Sequence, residues 1–280
     1  MKAGRASQTA ELVCMGRAVA DRRPGMRFQD PTAYELLAEP ERQRVERAVS
    51  SQAARDPRVL ADRTYLRQLA GVMTARTSGI DAAIREHASA QLVILGAGLD
   101  GRAFRMPELA ERVVFEVDHP DSQRDKRGRA ARLRQTAREI RFVPVDFARD
   151  GLDAALSGSG HAPDRPTTWV WEGVVMYLDP ADIEATMRVI ARRSAPASRL
   201  TILYHSPSWL LRFVGFMTRR LGEPLRSELR PEAMRGLLAR HGFSVTRDDD
   251  MRTLGAALGP EVQRMTRYVT HMRNVVADRP

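Results

Sequence analysis

The pattern of apolar and polar residues changes near residue 90 of the chain. Residues 1–85 are predicted to form helices, which are interrupted at Pro24, Pro31, Pro40 and Pro57. From residue 91, short runs rich in β-branched and aromatic residues alternate with helical stretches. This alternation is typical of a parallel sheet whose strands are joined by crossover helices. The pattern therefore predicts an α/β fold that follows an N-terminal helical region.

The boundaries of the elements can be predicted for this second part of the chain. The strands are expected at Gln91–Leu95, Val113–Val117, Arg141–Val145, Thr168–Trp171, Arg199–Tyr204, Phe243–Thr246 and near Arg267–His271. The helices are expected to begin near Gly98, Pro120, Gly151, Asp179 and Pro231. Residues 206–230 are too long for a simple connection, and such an insertion is typical of a lid. We therefore expect a helical cap over residues 1–85 and a binding core over residues 86–280, packed as one compact unit.

The composition narrows the class of protein. The chain has 280 residues and no apolar run close to the ~20 residues that a membrane span needs. No apolar segment follows the basic first residues, so no signal peptide is predicted and a cytoplasmic location is expected. A single cysteine, Cys14, excludes an internal disulfide. No set of histidines and carboxylates has the spacing of metal ligands, so no metal is expected.

A net charge of +10 raises the question of an acidic partner. The positive residues are mainly arginines spread along the whole chain, without a zinc pattern, an aromatic RNA-binding strand or a dense basic arm. We therefore expect the partner to be a small molecule or a peptide, acidic ones included, rather than nucleic acid. The basic run at residues 124–129 is interpreted as a solvated helix face, and His119 as a helix cap. The sequence does not indicate an oligomeric state.

The first predicted strand runs into a glycine-rich turn, Gly96-Ala97-Gly98-Leu99-Asp100-Gly101. Glycines at such a position let a tight turn bring backbone N–H groups against a ligand at a helix N-terminus. About 20 residues further on, the next strand ends in Asp118, whose carboxylate can accept hydrogen bonds from ribose hydroxyls. These two features fit a nicotinamide dinucleotide and another nucleoside ligand equally well.

The ends of the third and fourth strands separate these alternatives. Asp146 and Phe147 place a hydrogen-bond acceptor and a ring where the adenine of a nucleoside would lie. The fourth strand is followed by Glu172 and then Tyr177, and carboxylate and aromatic groups suit a sulfonium cation. Each residue alone fits a plain role in the core or at a helix cap. Together they stand at the carboxyl ends of successive strands, where open α/β sheets bind ligands, and they favour S-adenosyl-L-methionine over a dinucleotide.

Several longer segments extend this pattern over nearly the whole chain. They are Ala6-Ser7-Gln8-Thr9-Ala10, Phe28-Gln29-Asp30-Pro31, Arg76 with Ile80-Asp81, residues 93–100, Arg102-Ala103-Phe104-Arg105, residues 116–120, residues 143–147, residues 171–178 and His241-Gly242-Phe243. In these segments the chain resembles the leucine carboxyl methyltransferase family, including its bacterial and mycobacterial branches. It departs from that family at Gly101, where most members have threonine, and this change puts the hydrogen bonding of the cofactor loop in question.

The resemblance implies a Rossmann-like seven-stranded methyltransferase sheet with helices on both faces, and S-adenosyl-L-methionine as the methyl donor. It also implies that the N-terminal helices and the 206–230 insertion cover the substrate. By position, it implies that the methionine carboxylate is bound by Arg76, the cofactor backbone by Gly96, Ala97 and Gly98, the ribose by Asp118, the adenine by Asp146 and Phe147, and the region of the amino group by Glu172. Tyr177 would lie near the transferred methyl group.

The expected activity is methyl transfer to an oxygen atom, and among oxygens to a carboxylate. A carboxylate is already ionised at neutral pH, whereas a phenol needs a positioned base. His205 is the one histidine at a plausible strand end, and we place it with Tyr177 as a candidate catalytic residue. The alternatives that stay open are a phenol or hydroxyl O-methyltransferase of bacterial secondary metabolism, an NAD-dependent oxidoreductase, and a non-catalytic protein that binds the cofactor.

Overall fold

The computed structural model describes residues 8–52, 55–146, 151–208 and 225–280. These residues contain a sheet of seven strands with helices packed on both of its faces. The strands are β1 (Gln91–Leu95), β2 (Val113–Asp118), β3 (Glu139–Pro144), β4 (Thr167–Trp171), β5 (Arg199–His205), β6 (Ser244–Asp250) and β7 (Met272–Asp278). The predicted α/β class is confirmed.

The strand order is β3-β2-β1-β4-β5-β7-β6. The strands β1 to β5 run parallel to their neighbours, whereas β7 lies antiparallel between β5 and β6. All five residues of β1 are buried, because helices cover both faces of a parallel sheet. The carboxyl ends of β1, β2, β4 and β5 therefore meet at one edge of the sheet, and β7 begins at that same edge.

The last strand was placed wrongly by the sequence pattern. The prediction near Arg267–His271 falls on residues after the last helix, where Val269 N–H donates to the Thr266 carbonyl in a turn. The strand begins at Met272, and its buried core is Asn274–Ala277. The predicted β6 was too short, since it continues through four charged residues to Asp250. An edge strand that pairs with one neighbour can carry charged side chains on its exposed face.

Most of the described helices begin where proline or a capping side chain favours a helix start. They are α1 (Gln8–Arg22), α2 (Pro31–Glu35), α3 (Glu39–Val49), α4 (Pro57–Arg85), α5 (Arg102–Arg105), α6 (Pro120–Arg129), α7 (Leu152–Gly158), α8 (Pro180–Arg192), α9 (Pro231–Arg240), α10 (Met251–Ala256) and α11 (Pro260–Thr266). Asp179 caps α8 by accepting the N–H groups of Ala181 and Asp182. Within the described ranges, no helix combines the length and the apolar character that a membrane crossing requires.

The N-terminal helices pack on one face of the sheet near its antiparallel end. Helix α4 contacts α1, α3, α10 and α11. The apolar cluster at this contact includes Cys14, Leu66 and Met73 from the helices, and Leu203 from β5. A second cluster, which includes Trp169, Trp171 and Tyr204, lies against α8 and α9. Because Leu203 and Tyr204 are neighbours in a strand, their side chains belong to opposite faces.

The insertion after β5 is described at its two ends alone. Residues 206–208 continue from β5, and residues 225–230 return to it, while 209–224 lie outside the described residues. Backbone hydrogen bonds connect the returning segment to the sheet edge. Arg226 N–H donates to the Met176 carbonyl at 2.8 Å, and Leu229 N–H donates to the His205 carbonyl at 2.9 Å. Both ends of the insertion therefore lie beside the carboxyl ends of β4 and β5.

Candidate functional site

The turn after β1 depends on two glycines in the left-handed region of φ. Gly96 has φ of +71° and Gly98 has φ of +45°. A Cβ at Gly96 would also overlap the Cγ2 atom of Val174. The turn continues through Asp100, whose N–H donates to the Ala97 carbonyl at 2.7 Å. The following helix therefore begins at Arg102, four residues later than the prediction near Gly98.

Asp118 ends β2 and faces this turn. Its Oδ2 accepts the Gly98 N–H at 2.5 Å, and its Oδ1 accepts the His119 N–H at 2.6 Å. Burial raises the pKa of Asp118, and the two N–H donors oppose that increase. Each carboxylate oxygen has two lone pairs, so one on each remains for a further donor. The next residue, His119, caps α6 as predicted, since its Nδ1 accepts the Asp121 N–H at 3.2 Å.

Arg76 and Glu172 meet at the carboxyl end of β4, although 96 residues separate them in the chain. Arg76 belongs to α4, and its Nε lies 2.6 Å from Oε1 of Glu172. The other carboxylate oxygen of Glu172 lies 2.8 Å from Nη1 of Arg102. Although burial would raise it, the guanidinium groups of Arg102 and Arg76 hold the pKa of Glu172 below its usual range. Both predicted cofactor residues are thus paired with each other.

A larger buried charge network surrounds this pair. It consists of four guanidinium groups and four carboxylates, namely Arg17, Arg76, Arg102, Arg105, Asp30, Asp81, Asp100 and Glu172. Arg102 is at its centre, with Nε 2.7 Å from Asp81 Oδ1 and Nη1 2.5 Å from Asp100 Oδ2. Arg17 donates to the Leu99 carbonyl at 2.6 Å, so the network joins α1 to the glycine turn. Sequence reasoning assigned a role to two of these eight residues.

The space beside Gly101 explains its departure from the family pattern. A Cβ at Gly101 would overlap the Oγ1 atom of Thr32, which belongs to α2. The Thr32 hydroxyl donates to Oδ1 of Asp30 at 2.6 Å. A threonine hydroxyl from α2 therefore occupies the place that a side chain at position 101 would take.

Tyr177 and Asp146 flank the same sheet edge. Tyr177 is half-buried in a 3-10 turn, Val175–Tyr177, that follows β4. Asp146 is half-buried just after β3, where Val145 N–H donates to the Asp118 carbonyl at 2.9 Å. The predicted adenine contact Phe147 lies outside the described residues.

His205 is the last residue of β5, and His271 directly precedes β7. Because β7 is antiparallel to β5, the two residues come to the same end of the sheet, and their ring centroids are 5.7 Å apart. Burial first, and then the neighbouring His271 ring and the Arg76 guanidinium, lower the pKa of His205 to about 3. Burial also lowers the pKa of His271. His271 was the last residue of the strand predicted near Arg267–His271 and was given no role, whereas it directly precedes the observed strand. The apolar run Val275–Ala277 is the signal that could have placed this strand correctly.

The basic run on α6 is not wholly solvated, contrary to the sequence interpretation. Lys126 is buried, and its Nζ lies 2.6 Å from Oε2 of Glu116 on β2. Burial raises the pKa of Glu116 to about 6, and Lys126 opposes that increase. Arg124, in contrast, is exposed, as expected. One lysine of the run is therefore buried against β2, the strand that ends in Asp118.

Comparison with known proteins places these features in a family. The leucine carboxyl methyltransferase model matches residues 10–191. A protein of Mycolicibacterium gilvum (strain PYR-GCK), provisionally named as an S-adenosyl-L-methionine-dependent methyltransferase, is 36% identical over 224 residues, which are 78% of this chain and 71% of that protein. A protein of Mycobacterium sp. (strain JLS) with the same provisional name is 33% identical over 225 residues, 78% of this chain and 72% of that protein.

Solved structures share the fold at low sequence identity. A possible exported protein from Bordetella parapertussis superposes with a TM-score of 0.57 at 14% identity, covering 97% of this chain and 96% of that one. A SAM-dependent methyltransferase from Archaeoglobus fulgidus superposes with a TM-score of 0.51 at 14% identity, covering 80% of this chain and 100% of that one. The predicted Rossmann-like methyltransferase sheet is therefore confirmed.

Proposed function

The chain belongs to the leucine carboxyl methyltransferase family, and from that premise we propose that it transfers a methyl group from S-adenosyl-L-methionine to a carboxylate oxygen of a small molecule or peptide. It is a methyltransferase that depends on this cofactor, as its family and its relatives indicate. We propose the choice of a carboxylate and the roles of the residues. We also propose that residues 1–85 form a cover over the substrate.

The residues at the carboxyl edge of the sheet fit the cofactor. Gly96 and Gly98 form the turn, and Asp118 keeps a lone pair on each oxygen for the two ribose hydroxyls. Glu172 suits the amino group, and Arg76 suits the carboxylate. Since Arg102 also holds Glu172, Arg76 can turn towards a ligand carboxylate without leaving Glu172 unpaired. Asp146 and Phe147 complete the proposed adenine site.

One observation carries the choice of a carboxylate acceptor, namely the burial of His205. The cofactor supplies an electrophilic methyl group, and the acceptor oxygen must reach it in line and already deprotonated. His205 has a pKa of about 3, so it is a weak base for removing a proton from a phenol of pKa about 10. A carboxylate of pKa about 4 needs no base at neutral pH. The site therefore needs to position its acceptor rather than to ionise it, and Tyr177 stands where it can contribute.

The cofactor assignment is tested by calorimetry with S-adenosylhomocysteine. We expect Asp118→Ala to lose about 2–4 kcal/mol of binding free energy, because two hydrogen bonds to a charged acceptor disappear. Asp125→Ala, on the neighbouring helix α6 with Arg129 as its partner, is the matched control and should bind as the parent does. Binding of NAD in place of S-adenosylhomocysteine would contradict the proposal.

The carboxylate assignment is tested by the product. Aryl carboxylic acids and phenols of matched size are offered together with S-adenosyl-L-methionine that carries a labelled methyl group. We expect label in a product that releases methanol in base, as a methyl ester does. Label in base-stable ethers alone would show that the acceptor is a hydroxyl group.

A further inference from the structure

Two buried histidines at the carboxyl end of β5 lack partners for their ring nitrogens. His205 is 7% exposed and His271 is 6% exposed. Within the described ranges, Nδ1 and Nε2 of His205 and Nδ1 of His271 have no hydrogen-bond partner. A buried polar atom without a partner costs about 1–3 kcal/mol, so folded proteins keep few of them. Three such atoms in two adjacent rings indicate that a ligand completes this site.

The position of the pair relates it to the acceptor rather than to the fold. His205 follows Leu203 by two residues, so its side chain lies on the face of the sheet that α4 covers. Arg76 of α4 is close enough to depress the pKa of His205, and Arg76 is bound to Glu172 at the end of β4. Ser206 N–H donates to the His271 carbonyl, and Leu229 N–H donates to the His205 carbonyl, so both ends of the insertion adjoin the pair. The two rings thus lie beside the proposed methionine end of the cofactor and under the ends of the insertion.

The half-buried His87 shows how this protein holds a histidine whose role is structural. It lies at the amino end of the sheet, with Nδ1 2.8 Å from Thr168 Oγ1 and Nε2 2.7 Å from the Ala197 carbonyl. Both of its nitrogens therefore have protein partners, although burial lowers its pKa as it does for His205. Among the buried histidines of the described residues, His161 also has an Nδ1 without a partner, but its Nε2 lies 3.1 Å from Thr167 Oγ1. His205 is therefore the one buried histidine of the described residues in which both ring nitrogens lack a partner.

We propose that His205 and His271 bind the carboxylate of the methyl acceptor, each donating a ring N–H to one of its oxygens. This inference rests on the methyl transfer proposed above. The other lone pairs of that carboxylate remain free, so one oxygen forms the new O–C bond while the S–C bond of the cofactor breaks and its electron pair stays on sulfur. No proton is transferred, and the two imidazoles remain neutral donors throughout.

A carboxylate suits this pair better than a neutral group does. Two neutral imidazoles can each present one N–H, and a carboxylate accepts from several donors at once. Hydrogen bonds to a charged acceptor are about twice as strong as those between neutral groups. The neighbouring Arg76 adds a favourable field for an anion, whereas it opposes a positive charge on His205.

The test uses ring nitrogen NMR of the full chain saturated with S-adenosylhomocysteine, titrated with acetate as the carboxylate probe. We expect the ring signals of His205 and His271 to shift in a saturable manner, while those of His87 stay fixed. Acetamide, which has the same shape without the charge, should shift the ring signals of neither His205 nor His271. His271→Leu should weaken acetate binding at His205 roughly tenfold or more, which corresponds to one charge-assisted hydrogen bond.

The outcomes of this experiment distinguish the carboxylate of the cofactor from that of the acceptor. They also distinguish a failure of this inference from a failure of the proposed function. If S-adenosylhomocysteine alone shifts both rings and acetate adds nothing, the pair binds the carboxylate of the cofactor and the inference is wrong. Absence of any acetate response in the saturated protein overturns it as well. If S-adenosylhomocysteine does not bind at all, the proposed function fails instead. Calorimetry of His205→Leu with S-adenosylhomocysteine should give the parent affinity, which shows that this variant folds.

Discussion

The buried charge network and the histidine pair lie at the same edge of the sheet, but every charged group of the network has an ion-pair partner, whereas His205 has no partner on either ring nitrogen among the described residues. Each charged group of the network faces at least one group of opposite charge, and the four positive and four negative groups balance. The histidine pair has buried nitrogens with no partner among the described residues. A group that the protein itself satisfies holds the fold together, whereas a group left unsatisfied at a stability cost is available to a ligand.

The largest effect is expected from breaking the network at its centre. Arg102→Met leaves Asp81, Asp100 and Glu172 buried with less compensation, and such a loss costs about 3–5 kcal/mol. Denaturant unfolding measures this loss. The control is Arg85→Met, which removes an ion pair with Glu108 that is largely exposed and should change stability by less than about 1 kcal/mol. Equal effects of the two substitutions would show that the network does not stabilise the fold.

A smaller effect is expected where the network meets the glycine turn. Gly101→Ala places a Cβ against the Thr32 hydroxyl, and overpacking of this kind costs about 1–3 kcal/mol. Thr32→Ala removes the overlapping atom, so the double variant should recover part of that loss. A double-mutant cycle on unfolding free energies measures the coupling. Strict additivity of the two substitutions would mean that the α2 threonine does not occupy the place of a side chain at position 101.

The histidine pair predicts a loss of stability in acid. Burial lowers the pKa of His205 from 6.5 to about 3, so below pH 6.5 the unfolded chain binds a proton that the folded chain refuses. Stability is therefore lost as the pH falls from about 6.5 towards 3, and at pH 5 the loss is about 2 kcal/mol. Denaturant unfolding of the parent and of His205→Leu, each at neutral pH and at pH 5, measures this contribution. A variant with the same acid loss as the parent would contradict the depressed pKa.

The sequence predicts the parallel part of this molecule better than its antiparallel end. Strands β1, β2 and β4 are buried runs bounded by turn residues, and their positions were predicted within one residue. Strand β7 was misplaced because it lies between β5 and β6, and local spacing does not indicate its pairing with the distant β5. His271, which ended the predicted strand, directly precedes the observed one, and its role was not foreseen.

The same limit applies to the candidate site. Asp118, Glu172 and the glycine turn follow from their places after successive strands, and the resemblance supplied Arg76. The central role of Arg102 was not foreseen, because its partners come from separate segments of the chain. Asp81 belongs to α4, Asp100 to the glycine turn, and Glu172 lies 70 residues away, after β4. Motifs mark which residues gather at the sheet edge, but pairing among them depends on the packing of the N-terminal helices.

The measurement that tests the contrast most directly is the unfolding free energy of two histidine variants at pH 7. His205→Leu replaces a buried ring without partners, so the account predicts a variant at least as stable as the parent, with unchanged binding of S-adenosylhomocysteine. His87→Leu removes a ring whose nitrogens both have partners, and it should lose about 1–3 kcal/mol. A comparable loss of stability in both variants would contradict the account, because it would place His205 among the residues that hold the fold.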